Sequence, residues 1–413
     1  MSPYEGLPLG TRLSCDHHIC YGHVAAIGIP RALSHSEIVM RLRAILVSTL
    51  FMSSAVAADH ATVWIGMAAP PHGETEGIYR ATLDLGSGEI DQPTLAAEIK
   101  SPGFLALHPD GKKLYAVGAL PSGEDGVAAF EISDDQRSLR LLNSEPIGDG
   151  DACHVAVDQT GHCLFTAQYG SGSIAAFPLG PDGRVMKRTA LVRHAGSGPN
   201  KARQEAPHPH SVNVDPKNRY VLVPDLGTDR VEIYDIDLAT GLLEPHGSGR
   251  TPAGSGPRHM KFHPNGRFAY VLNELELSVT AFEYDADKGT MRAIQTISTL
   301  PDELREVPNT ASEIRIPPSG RFLYTANRGH DSIAVFEIDR QTGKLTFVEL
   351  ESVRGSNPRN FNVDPTGKWL LAAGLVSNTI SVFQIDDMTG GLVYTGRTVN
   401  SPAPMCIEVQ AQP

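Results

Sequence analysis

A turn dipeptide recurs at intervals near fifty residues, each time ahead of an apolar, strand-like run, and this repeat restricts the fold of the 413-residue chain more than any other feature. The copies read HPDGKKLYAV from His108, DQTGHCLFTA from Asp158, DPKNRYVLVP from Asp215, HPNGRFAYVL from His263, PPSGRFLYTA from Pro317 and DPTGKWLLAA from Asp364. Gly111, Gly161, Asn218, Gly266, Gly320 and Gly367 mark the turns, at spacings of 50, 57, 48, 54 and 47 residues. Glycine or asparagine there supplies the positive φ of a tight hairpin turn. After each turn come an apolar strand, a polar loop and another strand, such as GVAAFEI, RVEIYDID, SVTAFEYD, SIAVFEID or TISVFQID. A glycine-containing turn then leads to a more polar strand, as in TGKLTFVEL from Thr342. Four antiparallel strands per repeat are the signature of a propeller blade.

Six repeats carry the turn. A degenerate seventh precedes them, with TVWIGMAAP from Thr62 and GIYRATLD from Gly77. The chain ends on MCIEVQ from Met405, an inner-strand pattern with no blade after it. The reading is therefore an all-β, seven-bladed β-propeller of four-stranded antiparallel blades over residues 59–413, with the last strand completing the first blade. A formal charge of −12 argues against nucleic acid as a partner, because phosphate backbones select basic surfaces.

The N-terminal part has a different character. Residues 1–39 show no periodicity, and CDHHICYGH from Cys15 to His23 fits no standard zinc spacing. From Met40 the chain reads MRLRAILVSTLFMSSAVAADH, with Arg41 and Arg43 ahead of an apolar stretch and Ala55-Val56-Ala57 as a cleavage signature. This predicts a signal peptide at 40–58, with Met40 the true start and 1–39 a disordered upstream extension translated in error. The apolar stretch is short for a membrane span, so no membrane association is expected after cleavage. The expected location is periplasmic or secreted, with the cytoplasm as the alternative. Cys153, Cys163 and Cys406 are an odd set and are read as buried free thiols.

Aligning the repeats locates a site. Eight residues before each turn stand Gly103, Cys153, His210, Arg258, Ser312 and Arg359; eight after it stand Ala119, Tyr169, Leu226, Glu274, Arg328 and Leu375. In an antiparallel hairpin these positions are neighbours, and ring closure gathers them at one mouth of the axis. His210, Arg258, Glu274, Arg328 and Arg359 are thus expected to share one funnel. His208, two residues before His210, would lie on the same strand face. A His-x-His metal pair would need carboxylates from other blades, and neither metal nor cofactor is expected.

Five segments carry a resemblance: APHPHSVNVDP, VPDLGTDRVEIYDID, GSGPRHMKFHPNGRFAYVLNE, SEIRIPPSGRFLYTANRGHDSIAVFEID and NPRNFNVDPTGKWLLAA. Together they resemble the seven-bladed propeller lactonases, which comprise bacterial 6-phosphogluconolactonases and fungal carboxymuconate cyclases. The resemblance spans about Val63 to Val409 and implies lactone chemistry at the channel mouth. The functional His, Arg, Glu and Arg of the family fall on His210, Arg258, Glu274 and Arg328. One departure stands out. A pentose-phosphate enzyme acts in the cytosol, whereas the leader implies export, and this bears on the phosphorylation of the substrate rather than on the fold.

The leading expectation is a monomeric enzyme that hydrolyses a sugar lactone. Ester hydrolysis needs a base for water and a positive group near the carbonyl oxygen. Glu274 or His210 would be the base, Arg258 would steady the oxyanion, and Arg328 and Arg359 would hold a phosphate or carboxylate. His259 and His208 are assigned to substrate binding. No Gly-x-Ser-x-Gly elbow points to a covalent serine route. The alternatives are a carboxymuconate-type lactonising cycloisomerase and an exported, non-catalytic binding propeller.

Overall fold

Seven separate four-stranded antiparallel sheets are present in the computed structural model, which describes residues 59–67, 77–305 and 308–412. The predicted upstream extension, 1–39, and the predicted signal peptide, 40–58, both lie outside those residues. The first blade joins the two ends of the propeller. Pro404–Ala411 is its inner strand and pairs with His60–Met67, followed by Gly77–Asp84 and Thr94–Glu98. In that seam Ile407 lies opposite Ile65, and Trp64 Nε1 donates to Gln410 Oε1 at 3.0 Å. The inner strands of blades two to seven are Lys100–Leu107, Ala152–Val157, Asn213–Val214, Pro257–Phe262, Thr310–Arg315 and Pro358–Val363. The predicted fold and ring closure are both present.

The recurring turn has φ between 58° and 78° at all six marker residues, so glycine or asparagine is needed there. Three residues earlier stands either Asp or His, except in the blade that carries Pro317. Asp158 Oδ1 accepts from the His162 and Cys163 amides at 2.6 Å, and Asp364 Oδ1 accepts from the Lys368 and Trp369 amides at 2.8 and 2.6 Å. His108 and His263 instead reach the Gly161 and Gly320 carbonyls of the next turn. Tyrosines on the second strands tie blade to blade. The hydroxyls of Tyr115, Tyr270 and Tyr324 donate to the carbonyls of Gly183, Gly343 and Gly390 at 2.8–2.9 Å.

Each inner strand breaks its ladder at one place. Ala152 pairs with Gln168, yet His154 pairs with Ala167; Pro257 and Pro358 show the same slip ahead of His259 and Asn360. Cys153, Arg258 and Arg359 are thus bulge residues. The same irregularity falls at Met405 in blade one, between Lys100 and Phe104 in blade two, and at Ser312–Glu313 in blade six. In blade four Pro209 bridges Asp225 and pairing resumes at Asn213, with His210 in the gap. A bulge re-aims one side chain and lets two successive residues serve the same face. The bulge residue and its successor therefore both turn toward the axis. The following residue (Leu105, Val155, Val212, Met260, Ile314, Phe361 or Ile407) is buried in the apolar layers between blades.

Candidate active site

The bulges aim Cys153, His210 and Arg359 into a pocket of about 330 Å³ at one end of the channel, where Tyr169, Glu274, Arg328 and Arg203 complete the wall. Glu274 follows the strand Phe268–Asn273, and its amide donates to the Gly256 carbonyl at 2.7 Å. Its carboxylate is held by three guanidinium groups. Arg203 donates to Oε1 at 2.7 Å, while Arg258 Nε and Arg328 Nη2 lie 3.0 and 3.1 Å from Oε2. Burial alone pushes this carboxyl up, but Arg328, Arg258, His210 and Arg203 together hold it far below the usual carboxylate range.

Arg258 does not line the pocket. It is buried beneath it, where Nη1 donates to the Ser312 carbonyl, and burial with Arg359 and Arg328 nearby lowers its guanidinium to about 9. Arg359 has a different setting. It faces the pocket yet makes no hydrogen bond or ion pair among the described residues, and burial followed by Arg328 lowers it to about 10. His210 packs edge-on to Tyr169 and His259, and its Nδ1 is buried without a hydrogen-bond partner. Burial, then Arg258 and His259, push its ring well below 6.5, so it is neutral at pH 7.

The structure places the two remaining predicted histidines elsewhere. His208 lies behind Tyr169, stacked on that ring at 4.4 Å, with its nitrogens on the Tyr169 carbonyl and Glu205. The physical reason is that no regular strand extends back through Pro209, so the alternation that put His208 and His210 on one face does not apply. His259 follows the Arg258 bulge and sits one level deeper, its Nδ1 3.2 Å from Glu313 Oε1. Among the described residues, no group of three or more His, Cys, Asp or Glu side chains is placed to hold a metal. The three described cysteines are free, and burial pushes the Cys153 thiol up to about 12, unsuited to a nucleophile.

Sequence reasoning missed Arg203. It belongs to the connection between Ala190–Arg193 and the fourth blade, outside the repeat that was aligned. The 57-residue spacing from Gly161 to Asn218, the longest of the five, is the one trace of that insert. Its neighbour Gln204 anchors the loop, donating to the Leu226 carbonyl and to Asp229 Oδ1 at 2.8 and 2.7 Å.

Residues 62–409 match the family described as Lactonase, 7-bladed beta-propeller. The chain belongs to the seven-bladed propeller lactonases. The 6-phosphogluconolactonase of Bacillus subtilis is 39% identical over 289 residues, 70% of this chain and 81% of that protein. A 6-phosphogluconolactonase of Formosa agariphila is 33% identical over 293 residues, 70% of this chain and 82% of that protein. Among solved structures, the periplasmic gluconolactonase of Pseudomonas aeruginosa superimposes with a TM-score of 0.80 at 29% identity, covering 86% of this chain and all of that one. The enzyme is thus a lactone hydrolase of propeller type. In this lactonase the pocket brings together His210, Glu274, Arg328 and Arg359, with Arg258 directly beneath.

Proposed function

We propose that the protein hydrolyses a sugar lactone of the 6-phosphogluconolactone kind to the open-chain acid. The observation that carries this reading is Arg359, a half-buried, pocket-facing guanidinium that makes no hydrogen bond or ion pair among the described residues and lies near a neutral histidine. Arg203, Arg258 and Arg328 share their charge with the Glu274 carboxylate, whereas Arg359 has no paired carboxylate among the described residues, which suits it to a full negative charge such as a phosphate.

His210 is the better base. A carboxylate bridged by three guanidinium groups is a poor proton acceptor, whereas the neutral His210 ring, although its basicity is lowered by burial, is tied up in no ion pair and lines the pocket. With Nδ1 buried, Nε2 presents its lone pair to the pocket. It takes a proton from water as the water oxygen attacks the lactone carbonyl. The oxyanion that forms is stabilised by the guanidinium groups of Arg328 and Arg203 at the pocket wall. Collapse breaks the ring C–O bond, and His210 returns the proton to the departing alkoxide oxygen. Glu274 keeps those guanidiniums in place and limits their mutual repulsion. Arg258 and His259 support the wall from behind, and His208 fixes Tyr169.

The site is complete within one ring of blades, which supports a single-chain enzyme. Export is supported by the leader read at 40–58 and by the periplasmic location named for the Pseudomonas relative. Among the described residues no helix is long and apolar enough to cross a membrane. The functional test is proton release with a panel of gluconolactones and unsaturated dicarboxylates. Turnover of the lactones is expected; turnover of the dicarboxylates alone would replace hydrolysis with cyclisation, and no turnover would leave a binding propeller.

A further inference from the structure

The inner-strand register that builds the lactone pocket continues down the channel. The residues just after the bulges form a middle ring. There Phe104, His154 and His259 pack ring to ring with centroids 4.2–5.8 Å apart, His259 touches His210 at 5.4 Å, and Glu313 and Asn360 are buried beside them. Two residues further on, the side chains turn to the axis again. At that level Ala106, Ala156, Asn213, Lys261, Arg315 and Glu408 line a second cavity of about 350 Å³, and no residue lines both cavities. The alanines of blades two and three leave the space, while blades five, six and one supply the charges.

Those charges are incompletely matched. Arg315 Nη2 is 3.6 Å from Glu313 and 3.8 Å from Glu408, and it makes no hydrogen bond. Lys261 makes no hydrogen bond or ion pair among the described residues. Burial pushes its ammonium down to about 8, with Arg315 acting in the same direction and Glu313 and Glu408 opposing. An unpaired ammonium on a cavity wall is costly unless a counter-charge joins it. Val157, Val214 and Phe262 give the same cavity an apolar side. Glu408 disfavours a second negative charge.

We infer that this lower mouth is a second binding site, for a small monocarboxylate whose carboxylate lies between Lys261 and Arg315 and whose short apolar stem packs on Val157 and Phe262. It stands independently of the lactone reading, because the middle ring separates the two cavities.

The test uses the Arg359→Ala protein, which lacks the free cation of the lactone pocket. Its thermal midpoint is followed at constant ionic strength as butyrate, acetate or inorganic phosphate is added. Butyrate should raise the midpoint saturably and more than acetate, phosphate should not, and the rise should vanish in the Arg359→Ala/Lys261→Met double variant. An equal rise in both proteins, phosphate matching butyrate, or no saturable rise overturns the proposal. If the double variant does not fold, reductive ¹³C-methylation reads the site directly: butyrate must move the dimethyl-Lys261 resonance, and a stationary resonance overturns it. Lys261→Met alone should keep lactone turnover. If turnover falls with it, the lower mouth is not separate and the proposal fails. Butyrate binding in a protein that turns over no lactone would instead sink the lactonase reading.

Discussion

Glu274 and His210 look interchangeable as bases in a sequence, because both fall at matched blade positions and both can accept a proton. Their surroundings separate them. The carboxylate is held ionised by Arg328, Arg258 and Arg203, while burial and nearby cations keep the imidazole neutral. Removing the base should lower kcat about 10²–10⁴-fold, so His210→Gln is expected to lose activity on that scale. The base must be unprotonated to work, so activity falls as pH drops through a folded pKa that lies well below 6.5. The acid limb of kcat/KM should therefore sit below that value and disappear in His210→Gln. Glu274→Gln should also reduce kcat, because three guanidiniums lose their common anchor, yet its residual activity should keep the acid limb. A limb that vanishes in Glu274→Gln and persists in His210→Gln would return the base role to the carboxylate.

The inner strand was only partly legible in the sequence. Repeat spacing alone matched His210, Arg258, Glu274, Arg328 and Arg359, and the structure brings all five together. Depth was not legible, because period-two alternation cannot register a bulge. Arg258 and His259 are adjacent, and a regular strand would send them to opposite faces; the bulge turns both inward at different levels. Arg203 escaped for another reason: it lies on an insert that no other blade shares. The buried histidines of the pocket and the middle ring have their own consequence for stability. Burial holds His154, His210 and His259 neutral, well below 6.5, whereas an unfolded chain protonates them near that pH. Their contribution is complete above 6.5 and is lost as pH falls from there toward the folded pKa values. Urea midpoints should thus fall between pH 7 and pH 5, and less steeply in His154→Phe. Equal slopes for the two proteins would contradict the neutral ring. The closing strand offers a second test. Ile407 is fully buried in the seam between the two ends of the propeller, and Ile407→Ala should cost about 2–5 kcal/mol in urea unfolding. A change within about 0.5 kcal/mol, as for a surface site, would mean the seam contributes little.

At the scale of the whole molecule, seven equivalent inner strands give a ring, and the side chains that differ between them give the chemistry. Blade count and ring closure were readable because turn residues and strand patterns repeat. The substrate was not, because one pocket can admit related lactones and only free charges discriminate between them. Processing belongs to this scale too. Protein purified from its host is expected to begin near Ala58 or Asp59, and N-terminal sequencing that finds Ser2 or Pro3 would contradict both export and the start at Met40. The most direct measurement is the ratio of kcat/KM for a phosphorylated gluconolactone to that for the neutral lactone, in wild-type and Arg359→Ala protein. Losing one charge-assisted hydrogen bond is worth roughly 1.5–3 kcal/mol, about ten- to a hundred-fold. The ratio should fall by that factor in Arg359→Ala, chiefly through KM, with the neutral lactone little affected. An unchanged ratio, with both lactones weakened alike, would contradict the assignment of Arg359 and of an anionic substrate.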